Sequence, residues 1–222
     1  MINEELCKAM NLDLNKIALG FPFTYYGILS RIMAKNVSTI LDVGCGRGES
    51  TAILNHRNNF RILGLDGFMP YISECKKKGF YDNLILTDIN KLPVKKKSFD
   101  IILCLQVIEH LPKEKGLELL MLMEELGKKQ VIISTPMGVH RQEKYDGNPL
   151  QEHQSFWLPN DFKKYGYKVI NQGFKPLYGE KDNVEFLGLA SNIVSLLACF
   201  MHPLIQFFPK QAAQMICVKN LS

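Results

Sequence analysis

Three aspartates and a cluster of glycines carry the first chemical signal in this chain. Asp42 precedes Gly44-Cys45-Gly46-Arg47-Gly48, and Asp66 and Asp88 close the next two apolar runs. Glycines at that spacing let the chain turn tightly and leave bare backbone for a ligand. The helix that should follow presents unpaired N–H groups in its first turn. A dinucleotide loop would need Gly-x-Gly-x-x-Gly. Here the third glycine, Gly48, comes one residue early and Glu49 takes the expected place. Carboxylates at Asp42 and Glu49 would repel a pyrophosphate and suit a ligand with a cationic end. No Gly-Lys-Ser/Thr phosphate grip follows the loop. Asp66 can accept hydrogen bonds from both hydroxyls of a ribose, and Asp88 can face an exocyclic amine. The set therefore suits a phosphate-free, positively charged adenosine. Any one of these aspartates alone could be a turn or helix cap; three in order behind a glycine loop argue for a site.

The elements that must position these groups alternate along the chain. Apolar runs at Thr39–Val43, Arg61–Asp66, Asn83–Asp88, Phe99–Gln106 and Gln130–Thr135 read as strands. Helices are expected over Gly46–Arg57, from after Asp66 to about Lys78, and over Lys113–Gly127, with Gly127 as its stop. Near-continuously apolar strands separated by helices mean a parallel sheet covered on both faces. Residues 1–38 read as a helical preface. Pro136 to Pro159 is a breaker-rich loop anchored by Tyr145, Phe156 and Trp157, and such a loop beyond a strand end is usually functional. A short helix at Asn160–Tyr165 and strands at Tyr167–Asn171 and Ala212–Lys219 complete a single domain over 1–222. Its cofactor core is 39–135, and 136–222 holds the substrate-side loop, the insert and the last strand.

Composition bounds the partners. The 222 residues carry a net charge of +5, mild for a protein that must hold nucleic acid, and no basic stripe with interleaved aromatics is present. The six cysteines are scattered without a Cys-x-x-Cys pair, which suits a reducing compartment. The first residues lack the basic start and apolar core of a signal peptide, so a cytoplasmic location is expected. Phe186 to Phe208 contains no Asp, Glu, Lys or Arg. That length raises the question of a membrane span. Pro203 interrupts it, and a crossing would part Ala212–Lys219 from the sheet it should complete. A packed lid, or a segment lying at a membrane surface, fits better.

The motif series Leu41-Asp42-Val43-Gly44-Cys45-Gly46-Arg47-Gly48, Asp66, Leu86-Thr87-Asp88-Ile89 and Ser98 to Leu111 resembles that of class I S-adenosylmethionine-dependent methyltransferases, of the type 11 methyltransferase-domain group. The resemblance covers about Ile40 to Thr135. It implies a Rossmann-like α/β fold, with a seven-stranded, mostly parallel sheet whose last strand is inserted antiparallel. It implies S-adenosyl-L-methionine as cofactor, with Asp42, Gly44, Gly46 and Gly48 at the methionine part and Asp66 on the ribose. Asp88, Ile89 and Phe68 would frame the adenine, and Gln106 would line the methionine side. His110 and His153 are the candidate bases for an oxygen or nitrogen acceptor. Glu109-His110-Leu111 at a helix start also reads as a cap or packed pair. Some methyltransferases of this fold carry Glu-x-x-Glu-His after strand four as a divalent-metal site. Gln106 replaces the first of those carboxylates here, so no metal is expected. The expected acceptor is small or lipid-linked. The alternatives are a membrane-surface binding module that keeps the fold without the reaction, and an RNA methyltransferase.

Overall fold

The chain is described by a computed structural model over residues 19–20, 23–56, 58–144, 146–175 and 205–221. The preface before residue 19, Tyr145 and most of the apolar insert, which were read from the sequence, lie outside the described residues. The elements in chain order are α1 (Tyr25–Ile32), β1 (Thr39–Val43), α2 (Glu49–Asn55), β2 (Arg61–Asp66), α3 (Met69–Lys78), β3 (Asn83–Leu86) and β4 (Phe99–Leu105). Then come α4 (Lys113–Leu126), β5 (Gly127–Pro136), α5 (Pro159–Lys163), β6 (Lys168–Phe174) and β7 (Ala212–Asn220). The seven strands form one sheet in the order β3-β2-β1-β4-β5-β7-β6. The first five run parallel, and β7 lies antiparallel between β5 and β6, as the sequence led us to expect.

Alternation within each strand explains why both faces are covered. Leu41 and Val43 of β1, Ile102 and Cys104 of β4, and Val131 and Ile133 of β5 pack against Leu119, Leu120 and Met123 of α4. The intervening Ile40, Ile101, Leu103 and Ile132 pack on the other face, with Leu29 of α1 and Leu54 of α2. Successive side chains of a strand point to opposite faces, so an unbroken apolar run is what a two-sided core requires.

Several boundaries differ from the sequence reading. β3 stops at Leu86 and β4 at Leu105, because the chain must turn there to face the cleft. α2 starts only at Glu49, after the left-handed Gly48, and ends at Asn55. Gly127 is not a left-handed stop: at φ −79° and ψ 144° it is already the first residue of β5. Its lack of a side chain serves packing, since a Cβ there would lie 2.7 Å from Leu221 Cδ1.

The opening of β1 is fastened to β4 by one carboxylate. Asp100 Oδ2 accepts from the backbone N–H of Ser38 (2.8 Å) and Thr39 (3.1 Å) and from both hydroxyls. Burial alone would push this carboxyl up, but the bonds from Ser38 and Thr39 outweigh it and hold it below its ordinary value. Removing it orphans two backbone donors, so Asp100→Ala should cost ~3 kcal/mol in urea denaturation. A depressed folded value means stability that is present above the unfolded carboxylate range and lost as pH falls through the folded value. The wild-type chain should therefore shed part of its stability in acid, and Asp100→Ala should show a shallower acid loss in the same denaturation series.

Candidate active site

A cavity of about 890 Å³ opens at the carboxyl ends of β1 to β4. Its size lies within the range of small-molecule sites, and its position is where open parallel sheets bind ligands. One wall is the glycine loop. Gly44 and Cys45 donate their N–H groups to the Leu65 carbonyl at 2.8 and 2.9 Å, which docks the loop on β2. Gly44 has φ +71°, and a Cβ there would lie 2.5 Å from Val107 Cγ2, so no larger residue fits. Gly46, at φ +53°, would meet nothing within 4 Å. The loop thus fits tightly underneath and leaves open backbone above, a cradle of the kind an adenosine-methionine ligand needs. Gly48 precedes α2 and also lines the cavity.

Acidic groups ring this wall. Asp66 ends β2, and its two oxygens accept from Gly46 N and Phe68 N, both at 2.8 Å. Burial pushes its carboxyl up, against the backbone hydrogen bonds. A carboxylate offers about four lone-pair positions, so Asp66 retains capacity for hydroxyl donors on the cavity side. Asp88 Oδ1 accepts from Asn90 N (2.9 Å) and Asn90 Nδ2 (2.8 Å), bonds that hold it below its usual range. Asp88, Ile89 and Glu49 all line the cavity. Arg47 lines it too, but its guanidinium is taken up by Asp146 and, at 3.6 Å, by Glu74. The balance of the wall favours a cation.

Two of the expected ligand contacts are placed elsewhere. Asp42 is 3% exposed and does not line the cavity. It shares a face of β1 with Ile40, turned under α2, where Oδ2 accepts from Thr51 Oγ1 (2.5 Å) and Tyr81 Oη (2.6 Å). It supports the loop from beneath. Phe68 leans edge-on against Tyr71, ring centroids 5.0 Å apart, and does not line the cavity either. Tyr71 and Leu86 contribute to the lining instead.

The far end of the cavity is lined by the end of β4, the turn after it and the loop after β5. Gln106 takes a left-handed φ of +57° just past β4. Its Nε2 donates to Ser134 Oγ (3.1 Å) and Gln214 Oε1 (2.8 Å), and Gln214 Nε2 donates on to Gln172 Oε1 (2.6 Å). With both amide hydrogens used, Oε1 is what Gln106 can offer a ligand. Tyr25 of α1 reaches the same Ser134 hydroxyl at 2.5 Å, and Tyr26 lies 3.4 Å from Ser50 Oγ. His110 lines the cavity and donates Nδ1–H to the Glu152 carbonyl at 3.3 Å; its partial burial pushes the imidazole below its ordinary value. His153 does not line the cavity but packs on His110, ring centroids 4.9 Å apart, with its Nδ1–H on the His140 carbonyl at 2.6 Å. Burial pushes the Glu109 carboxyl up to about 7, and Thr135 Oγ1 donates to it at 3.0 Å. Among the described residues, ligand atoms of Glu109, His110 and His153 lie within 4.8 Å of one another, a spacing a divalent cation could bridge.

The loop from Met137 to Leu158 is strapped over this end. Gln154 and Ser155 donate N–H groups to the Glu109 carbonyl at 2.9 and 3.0 Å. Trp157 is fully buried beneath Lys113, whose Nζ sits 3.6 Å above the ring. Asn148, Leu150 and Gln151 come down onto the cavity, and Asp146 ties the loop to Arg47 and to Tyr71 Oη. The sequence offers the stretch Phe23-Thr24-Tyr25-Tyr26 as a possible contributor to the cleft and Trp157 as a possible lid anchor; Asn148, Leu150, Gln151 and Tyr71, which sits on α3, carry no such signal there.

Comparison with known proteins agrees with this geometry. Residues 41–123 match the family model described as a methyltransferase domain. An uncharacterised protein of Methanocaldococcus jannaschii is 27% identical over 64% of this chain and 60% of its own length. Trans-aconitate 2-methyltransferase of Escherichia fergusonii is 40% identical over 22% of this chain and 20% of that one. The matched stretch thus spans less than two thirds of the curated relatives it resembles. Phosphoethanolamine N-methyltransferase 2 of Haemonchus contortus, solved with S-adenosyl-L-methionine, has the same fold at a TM-score of 0.59 and 16% identity, covering 93% of this chain and 56% of that one. Residues 41–123 thus resemble a methyltransferase domain, and the strand order β3-β2-β1-β4-β5-β7-β6 with its antiparallel β7 is the fold of class I, S-adenosyl-L-methionine-dependent methyltransferases.

Proposed function

We propose that this chain transfers a methyl group from S-adenosyl-L-methionine to a small or lipid-linked acceptor. The observation that carries the reading is the continuity of one cavity, from the acidic, open-backbone wall at Gly46, Asp66 and Asp88 to the lidded end at Gln106 and His110. When bound, the cofactor supplies a methyl group on a sulfonium, already activated for in-line attack. The protein's share is placement. Asp66 would take the ribose hydroxyls, and Asp88 with Ile89 the adenine edge. Gly44, Gly46 and Gly48 would lie along the methionine part, with Gln106 Oε1 accepting from its ammonium. Asp42 and Phe68 act indirectly, through the loop and through Tyr71.

At the acceptor end His110 is the proposed base and His153 its support. The carbonyl of Glu152 holds the proton on Nδ1, so Nε2 is the nitrogen that would take a proton from an acceptor hydroxyl or amine. The lowered imidazole value keeps that nitrogen available at neutral pH. A cytoplasmic location suits the buried free thiols of Cys45, Cys75, Cys104 and Cys217.

The lipid-linked half of the acceptor class rests on Phe207 and Phe208. They are 79% and 64% exposed at the end of the uncharged stretch. No helix among the described residues is long and apolar enough to cross a membrane, so the contact proposed is peripheral.

Calorimetry with S-adenosylhomocysteine should show binding that Asp66→Ala weakens by roughly 100-fold, since the variant loses hydrogen bonds to a charged group and the anchor of Gly46. Unchanged affinity would refute the donor assignment. His110→Ala should lower kcat by ~100-fold once an acceptor is found in a mass-spectrometric screen of quinones, phenols and lipid-linked precursors. The wild-type kcat/KM should fall in acid with a midpoint below about 6.5, as His110 becomes protonated. Flotation with phospholipid vesicles should retain the wild-type chain and release Phe207→Ser/Phe208→Ser. Equal flotation of both would remove the membrane contact.

A further inference from the structure

Two thiols meet beneath the glycine loop, and nothing in the methyl-transfer reading uses them. Cys45 sits between Gly44 and Gly46 and lines the cavity, while Cys75 lies on α3 with no exposed surface. Cys75 donates to the Gly46 carbonyl at 3.2 Å, and Cys45 lies 3.9 Å from the same oxygen. With Ile72 the two side chains form one small buried cluster. Cys104 and Cys217, by contrast, lie in strands of the sheet core on the α4 side.

We propose that Cys45 and Cys75 are a thiol-oxidation site, joined as a disulfide by a peroxide that enters through the donor cavity lined by Cys45, and that the bond disables the glycine loop. The pair is asymmetric in the way such chemistry needs. The neighbouring Cys45 thiol, and then the charge of Lys78, draw the Cys75 thiol below its ordinary value, and Cys75 is also the nearer of the two to the Gly46 carbonyl. The O–O bond of the peroxide breaks as one sulfur gains an S–O bond, giving a sulfenic acid and one water. The second sulfur then attacks the first; the S–O bond breaks, the S–S bond forms and a second water leaves with the remaining thiol proton. Two thiols are oxidised and one peroxide is reduced.

An S–S bond of ~2.05 Å is much shorter than any thiol–thiol contact, so Cys45 must be drawn toward α3. The Gly46 carbonyl then loses its Cys75 donor. The same residue's N–H holds Asp66, so the open backbone of the loop and the carboxylate move together. This consequence for the donor rests on the methyltransferase reading; formation of the bond does not.

The test uses the full chain treated with hydrogen peroxide. Peptide mapping should find Cys45 linked to Cys75 in the wild type, and no such link in Cys75→Ser or Cys75→Ala. The oxidised wild type should bind S-adenosylhomocysteine at least ~10-fold more weakly in calorimetry, and dithiothreitol should restore the affinity. Accumulation of sulfenic or sulfinic acid at either residue without the link would overturn the proposal, as would a linked protein with unchanged affinity. If the untreated protein itself fails to bind the analogue, the donor reading fails while the mapping result still decides the disulfide.

Discussion

The hydrogen bond from the Gly46 amide to the Asp66 carboxylate is the joint on which the site depends. It ties the loop after β1 to the end of β2, and the Leu65 carbonyl repeats the tie one residue earlier by accepting from Gly44 and Cys45. A loop in left-handed backbone has few ways to be held, because it cannot join a helix or a sheet ladder. Here the next strand holds it. The parallel register that places Val43 beside Leu65 is therefore part of the donor site as much as the side chains are.

A second set of ties encloses the other half. The lid is pinned at three well-separated places: to Arg47 through Asp146, to Glu109 through two amides, and to α4 through Trp157 and Lys113. Trp157 fits because α4 carries Gly116 opposite it; a Cβ there would stand 2.5 Å from the indole ring. So the helix that packs the α4 face of the sheet also sets how far down the lid can come, and the fold's core and the enclosure of the cavity share residues.

Much of this was legible in the residues. Strands buried on both faces read as apolar runs because neither face tolerates polarity, and acids at strand ends stand out against such runs. Gln106, Asp66 and Asp88 line the cavity because each sits at the point where its strand hands over to a turn. Asp42 lies inside β1, in phase with Ile40, and the twofold alternation that sends it under α2 is itself present in the sequence. Phe68 precedes α3 with its ring edge-on to Tyr71, and of the two it is Tyr71 that lines the cavity. The lid was legible as a loop with aromatic anchors, but its partners were not. Arg47 and Asp146 are 99 residues apart, and no local pattern pairs them.

The three glutamines that run from Gln106 through Gln214 to Gln172 form a one-way relay. Each amide nitrogen gives to the next amide oxygen, so the direction of any one fixes the direction of all. Gln172 on β6, buried and outside the donor cavity, is thereby coupled to which end of Gln106 faces inward. The polarity of the cavity wall is inherited from the opposite edge of the sheet. A change in that last glutamine could invert the wall from hydrogen-bond acceptor to donor without touching any residue that lines it.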